Sequence, residues 1–116
     1  MTITTKIEYT ETFRDKLYSR FAYLARHIGE QAAQSLLTEF LDAFEARIAH
    51  NPKSSPVCVE AADIGLMTYH DYVDPNLQLR VVYRTSDADD IVYGLLFLNT
   101  RQSIREALIQ YCLQKA

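Results

Sequence analysis

The chain has 116 residues, of which 48% are hydrophobic, and that length and apolar content suit one domain with its own core. We therefore predict a single domain over residues 1–116. Twelve Lys and Arg against fifteen Asp and Glu leave a net charge of −3, so charge alone does not favour binding to nucleic acid. The apolar runs are too short to cross a bilayer and the N-terminus lacks the apolar stretch of a signal peptide, which predicts a cytoplasmic protein with no membrane partner.

The first half of the chain predicts a strand followed by two helices. Residues 3–9 alternate as a short strand does. Thr10 is a candidate N-cap for a helix whose apolar residues recur every three or four positions; they are Phe13, Leu17, Phe21, Leu24 and Ile28. Gly29 is predicted to end this helix, and a second helix runs from Glu30 to about His50. The short connection predicts an antiparallel helical hairpin that packs on a sheet.

The second half predicts three strands. The first is expected at about 57–59 or 64–69, the second at 77–85 and the third at 91–98. The polar residues 86–90, which include Asp87, Asp89 and Asp90, have the composition of a turn, so the last two strands form an antiparallel hairpin. Both faces of the last strand are apolar, which indicates a central strand covered on both sides.

In the middle strand, Leu79, Val81 and Tyr83 lie on one predicted face, and Arg80 and Arg84 lie on the other, more exposed face. This alternation predicts a strand with one buried side. Together with the helices it defines an α+β fold, in which an N-terminal strand and a helical hairpin pack on a small, mainly antiparallel sheet that is followed by a C-terminal helix.

The C-terminal helix is predicted to begin after a cap at Asn99 or Thr100. Its apolar stripe consists of Ile104, Ala107, Leu108, Tyr111 and Cys112. The stripe suits either a face of the chain's own sheet or a surface for a partner, including a second copy of the chain in a homodimer. We favour the first alternative because burial of Leu108 and Tyr111 stabilises the fold by ~1.5–3 kcal/mol each.

This order of elements resembles the RelE/ParE superfamily, the toxins of bacterial type II toxin–antitoxin systems. The resemblance extends from the first strand to Gln102, and its local parts are Asn51-Pro52 after the helical hairpin, the strand at 79–84 and Leu96-Phe97-Leu98. The pair Arg101-Gln102 is similar to ParE-type members in particular.

The resemblance implies a toxin held inactive by a cognate antitoxin that has its own DNA-binding domain and orders over the helical hairpin or the sheet. RelE-like members cleave mRNA in the ribosome, whereas ParE-like members poison DNA gyrase. The chain is therefore an enzyme if it is RelE-like, and it is not one if it is ParE-like.

A ribonuclease needs cations at the scissile phosphate and groups for acid–base chemistry. The candidates are Arg80, Arg84, Tyr83, Arg101 and Lys53, and Tyr69, His70 and Tyr72 are further candidates for acid–base groups. Arg80 matches the strand arginine that contacts the scissile phosphate in RelE-like members. A structural alternative is that Arg80 pairs with an acid of the helical hairpin such as Glu39 or Asp42.

We favour the ParE-like branch, because RelE-like nucleases are usually basic and have a Tyr or His just after the last strand. Here Asn99, Thr100 and Gln102 occupy that stretch, and the chain is acidic. The residues expected to bind the target or the antitoxin are Arg80, Arg84, Arg101, Arg105 and Tyr111. A RelE-like ribonuclease and a non-toxic member that only binds an antitoxin remain alternatives.

The sequence predicts no cofactor and no metal. Cys58 and Cys112 are its two cysteines, and neither belongs to a metal-ligand spacing. We expect them to behave as small hydrophobic residues.

Overall fold

The computed structural model describes residues 5–66, 68–86, 88 and 90–115, with side chains described up to residue 110. Ile3 of the predicted first strand, Asp87 and Asp89 of the predicted turn, and the side chains of Tyr111 and Cys112 lie outside the described part. The elements are β1 (Lys6–Tyr9), α1 (Glu11–Ile28), α2 (Glu30–His50), α3 (Val59–Asp63), β2 (His70–Asp74), β3 (Leu79–Thr85), β4 (Ile91–Asn99) and α4 (Ile104–Lys115).

The four strands form one sheet in the order β1-β4-β3-β2. β1 runs parallel to β4, and the β4–β3 and β3–β2 pairs are antiparallel. The predicted mainly antiparallel sheet and the central position of β4 are therefore confirmed. Because β1 pairs only as far as Gly94, the second half of β4 has no described strand on that side.

The helical hairpin has the predicted bounds. Thr10 caps α1, where its Oγ1 accepts a hydrogen bond of 3.1 Å from the Phe13 N–H. Gly29 separates α1 from α2 and has a φ of +91°, a conformation that glycine adopts without steric cost. Both helices pack on one face of the sheet around an aromatic core; its fully buried rings include Phe13, Phe40, Phe44 and Tyr83.

The other face of the sheet is covered by α3 and α4. A register shift opposite Val82 and Tyr83 places both Leu95 and Leu96 of β4 on this face. Ile104 and Leu108 of α4 are buried against the same core, at 2% and 0% exposure. The described part of the C-terminal stripe thus covers the chain's own sheet, as favoured from the sequence.

Two local predictions are wrong. No described strand forms at 57–59 or 64–69: Val59 begins the short helix α3, Val57 forms only an isolated bridge with His70, and the strand begins at His70. This strand carries a charged or polar residue at most positions because it lies at the edge of the sheet, and Tyr72 is its one buried residue. The cap of α4 is Ser103, whose Oγ accepts from the Glu106 N–H at 3.2 Å. Asn99 does not cap this helix, because its Oδ1 accepts from the Arg101 and Gln102 N–H groups in the preceding turn.

Within the described residues, no helix is both long enough and apolar enough to cross a membrane.

Candidate functional site

Arg80 forms an ion pair within the sheet. Its Nη2 lies 2.8 Å from Oδ2 of Asp71 on the neighbouring strand β2, and the two side chains are 17% and 12% exposed. The predicted pairing with Glu39 or Asp42 is wrong, because the flanking Leu79 and Val81 face the helical hairpin and Arg80 therefore lies on the opposite face. The expectation of an exposed cation at this position is also wrong, since the Arg80 side chain is mostly buried and paired with Asp71.

Arg84 and Tyr83 also make contacts within the fold. The guanidinium of Arg84 lies over the ring of Tyr93, 4.5 Å from its centroid. Tyr83 is fully buried, and burial raises the pKa of its hydroxyl, with Ser55 offsetting part of the increase. An acid–base group must reach the substrate, so Tyr83 does not serve as one in this structure.

Of the other acid–base candidates, His70 and Tyr72 lie on the side of Tyr83, and the exposed Arg47 guanidinium lies over the Tyr72 ring, 5.9 Å from its centroid. His70 stacks on the Tyr83 ring at 5.3 Å between centroids, and its Nδ1 lies 2.9 Å from the carbonyl oxygen of Ser55. Tyr72 packs in the aromatic core with Phe40 and Phe44, and burial raises its pKa. Tyr69 is half-buried at the end of the loop before β2.

Arg101 is exposed and lines a cleft between α1 and the end of β4. The cleft has a volume of about 570 Å³. Its lining consists of Lys16, Ser19, Arg20, Tyr23, Gln78, Phe97, Asn99, Arg101 and Gln102. We call this the basic cleft, because it contains three cations and no carboxylate.

The sequence prediction found Arg101 but missed Lys16, Arg20 and Tyr23. These three residues follow one face of α1 at spacings of four and three, a pattern that indicates a shared helix face but does not say what lies opposite. Arg20 lies over the Tyr23 ring, 4.9 Å from its centroid. Arg105 is exposed on α4 and Lys53 is exposed in the loop after α2, and neither lines the basic cleft.

Cys58, Glu60 and Asp71 come together on the sheet face that α3 covers, with their ligand-type atoms within 4.8 Å of one another. The chain spacing does not predict this cluster. The Cys58 thiol is the donor of a 3.7 Å contact to Oε2 of Glu60, and Arg80 already supplies a positive charge to Asp71. Burial raises the pKa of Cys58 to about 11, so its thiol stays protonated at neutral pH in this structure.

We expect the Cys58 thiol to react slowly while the chain is folded. A pKa of about 11 and a 1% exposed side chain predict roughly a hundredfold lower rate with a thiol reagent at pH 8 than for an unfolded cysteine. The measurement uses Ellman's reagent on a Cys112→Ser variant, in which Cys58 is the sole thiol, before and after denaturation. Equal rates in both states would contradict the assignment.

No protein-family model and no curated protein sequence matches the chain. Solved structures do match it. A structure of the chromosomal ParDE toxin–antitoxin system from P. aeruginosa superposes with a TM-score of 0.67 at 7% identity, covering 84% of this chain and 98% of that one. The RelBE2 toxin–antitoxin complex from Mycobacterium tuberculosis gives 0.56 at 13% identity, covering 85% and 94%. The isolated E. coli RelE toxin gives 0.51 at 11% identity, covering 94% and 98%.

The chain therefore has the fold of the RelE/ParE toxin superfamily over most of its length. This confirms, for the fold, the resemblance predicted from the strand at 79–84 and the order of elements.

Proposed function

We propose that the chain is the toxin of a type II toxin–antitoxin system and that it is a ParE-like inhibitor of DNA gyrase. The observation that carries the proposal is the state of Arg80, whose charge is paired with Asp71 at 2.8 Å. A phosphate-binding arginine in a nuclease must offer its charge to the substrate. Here the charge of the strand arginine is paired within the fold, and Tyr83, on the other face of the same strand, is buried.

Two further observations support a protein target. The TM-score is 0.67 for the ParDE structure, against 0.56 and 0.51 for RelBE2 and RelE. Arg105 and Arg101 are exposed at the α4 end of the molecule, and arginine is among the residue types that contribute most to protein–protein binding.

An antitoxin is the proposed partner that controls this activity. Two of the similar structures are of toxin–antitoxin systems. Between α1 and α2 the surface has a largely apolar groove; its lining residues are Leu17, Tyr18, Phe21, Gln34, Leu37, Thr38 and Leu41. Tyr18 is 73% exposed there, and a groove with such an aromatic residue suits the apolar face of an antitoxin helix.

The purified protein is expected to inhibit the supercoiling of relaxed plasmid by gyrase. An Arg105→Glu variant, which reverses an exposed charge on α4, should need about tenfold more protein for the same inhibition, the size expected for an anchoring interface arginine. Arg14→Glu makes the same charge change on the exposed side of α1 and should behave like the unmodified protein. Full supercoiling at excess protein would overturn the gyrase proposal.

A RelE-like ribonuclease is the second candidate, favoured by the three cations of the basic cleft. Primer extension on translated messages after induction decides this candidate. Cuts that Arg101→Ala abolishes would establish it, and messages without cuts would exclude it. Unimpaired growth on overexpression without the antitoxin would instead indicate a member that only binds its antitoxin.

A further inference from the structure

Three side chains of different chemistry converge where α3 meets β2. Cys58 is the residue that precedes α3, Glu60 lies in the first turn of this helix and Asp71 is on β2, and their ligand-type atoms lie within 4.8 Å of one another. The distance from Sγ of Cys58 to Oε2 of Glu60 is 3.7 Å. Sulfur and oxygen ligands of a tetrahedral zinc ion are about 3.6 Å apart, given metal–ligand lengths of about 2.3 and 2.1 Å. The first two side chains therefore already have the separation of metal ligands.

Asp71 brings an acceptor that the fold leaves unsatisfied. Its Oδ2 accepts a hydrogen bond of 2.8 Å from Arg80, whereas its Oδ1 is buried and has no hydrogen-bond partner within the described part of the chain. A buried acceptor without a partner costs free energy, and a cation bound to it recovers that cost. Arg80 meanwhile orients the carboxylate through the other oxygen, as hydrogen-bonding groups commonly do for metal-ligating carboxylates. Asp71 can thus keep its ion pair and still bind a metal ion.

The charges of these residues also favour a divalent cation. With the Cys58 thiol protonated, two carboxylates face the one guanidinium of Arg80, which leaves one negative charge unbalanced. After burial, which is the larger cause, the Asp71 and Glu60 carboxylates raise the pKa of the thiol, as an excess of negative charge does. A divalent ion that binds here releases the thiol proton to water, and its charge together with that of Arg80 then balances one thiolate and two carboxylates.

We propose that Cys58, Glu60 and Asp71 bind one divalent cation of the zinc type, through Sγ and two carboxylate oxygens, with a water molecule as the fourth ligand. The mixed donor set selects this class of ion, because Mg²⁺ and Ca²⁺ prefer oxygen ligands alone and Cu⁺ prefers thiolates and thioethers. A movement of about 1 Å brings the longest ligand separation to the tetrahedral spacing. Glu60 is partly exposed, so the ion can enter from solvent past this side chain.

The ion has a structural role, because its ligands come from separate elements. It joins the start of α3 to β2 and so closes the segment between residues 58 and 71 into a loop. Cys58 and Ala61 of this region belong to the core between the sheet and α4, which the ion holds together from the α3 side. A ligand that binds the folded chain and not the unfolded chain stabilises the fold. This role does not depend on the proposed function, since inhibition of gyrase through exposed arginines requires no metal.

The test is a titration with Co²⁺ of the Cys112→Ser protein, in which Cys58 is the sole thiol, made by cell-free synthesis. Cobalt adopts tetrahedral zinc sites, and a cobalt–thiolate bond adds a charge-transfer absorption in the near ultraviolet that oxygen ligands alone do not give. We expect this absorption to saturate at one cobalt per chain and to disappear when Zn²⁺ is added, while excess Mg²⁺ leaves it unchanged. Zn²⁺ at about a hundredfold excess over its Kd should also raise the Tm by roughly 10 °C.

Variants in the same background identify the ligands. Glu60→Gln removes a ligand charge at a partly exposed position and keeps the shape of the side chain, so the fold tolerates it, and Co²⁺ binding should weaken at least about tenfold. Cys58→Ser should abolish the charge-transfer absorption. Asp63→Asn is the matched control, because Asp63 is an exposed carboxylate on the same helix that lies outside the cluster. It should bind Co²⁺ with unchanged affinity, and circular dichroism checks that each variant is folded.

Three results would overturn the inference: no charge-transfer absorption at excess Co²⁺, equal losses of affinity in Glu60→Gln and Asp63→Asn, or a Tm that Zn²⁺ leaves unchanged. The outcome is separable from the proposed function. A protein that inhibits gyrase without binding Co²⁺ loses only this inference, and one that binds Co²⁺ without inhibiting gyrase loses only the gyrase proposal.

Discussion

Asp71→Ala is expected to lower the free energy of unfolding by about 3 kcal/mol, because it leaves a mostly buried cation without its partner. The Arg80 side chain is 17% exposed, and its Nε is already buried without a hydrogen bond in the described structure. Burial raises the pKa of Asp71 and Arg80 counteracts part of that increase. Arg80 therefore favours the ionised form of Asp71, and removing either residue leaves the other in a poor environment.

Urea denaturation of a double-mutant cycle measures this dependence. The single variants Asp71→Ala and Arg80→Ala should each be clearly destabilised, and the double variant should lose less than their sum, with a coupling of about 2 kcal/mol. An apolar pair, Asp71→Val with Arg80→Met, should recover most of the stability, since replacing both partners of a buried ion pair is often close to neutral. Additive losses would show that the pair contributes nothing beyond its separate contacts.

The apolar pair also tests whether Arg80 takes part in either candidate function. If the chain inhibits gyrase through an exposed surface, the apolar side chains introduced at positions 71 and 80 leave inhibition by this stable double variant unchanged. If the chain cuts mRNA with Arg80, cleavage disappears in a protein that is still folded.

The sequence was most informative where a pattern depends on one element alone. The bounds of α1 and α2 could be predicted from the apolar spacing, the Thr10 cap and Gly29, because these signals are local. The central position of β4 could also be predicted, since a strand with two apolar faces must be covered on both. The edge strand β2 was missed because four of its five residues are not fully buried, and its sequence resembles a polar loop.

The site was harder to predict because its residues meet only in the folded chain. Asp71 and Arg80 lie nine positions apart and on different strands, and their contact depends on the β2–β3 register. Lys16 and Arg101 are far apart in the sequence, and they line one cleft because α1 crosses the part of β4 that β1 leaves unpaired. In neither case does the spacing of the residues along the chain indicate that they meet in the fold.

Gly94→Val is expected to lower the free energy of unfolding by about 3 kcal/mol, the upper part of the usual range for overpacking. A Cβ at Gly94 would lie 2.6 Å from Cδ1 and 2.9 Å from Cε1 of Tyr9. The Tyr9 ring has little freedom to move, because it stacks on Phe13 at 4.5 Å and its hydroxyl donates a 2.5 Å hydrogen bond to Glu45. The reduced entropy of the unfolded chain, worth about 0.4–1 kcal/mol, offsets only part of this loss.

Thermal and urea unfolding check the prediction, and a Tyr9→Ala/Gly94→Val double variant tests its cause. If the Tyr9 ring is the obstacle, the valine costs much less stability in the Tyr9→Ala background than in the unmodified chain. An equal cost in both backgrounds would contradict the steric explanation. The position also bears on the basic cleft, because the Gly94 and Leu95 carbonyls accept hydrogen bonds from Thr10, at 3.0 and 2.8 Å, and so fix the start of the helix that carries Lys16 and Arg20.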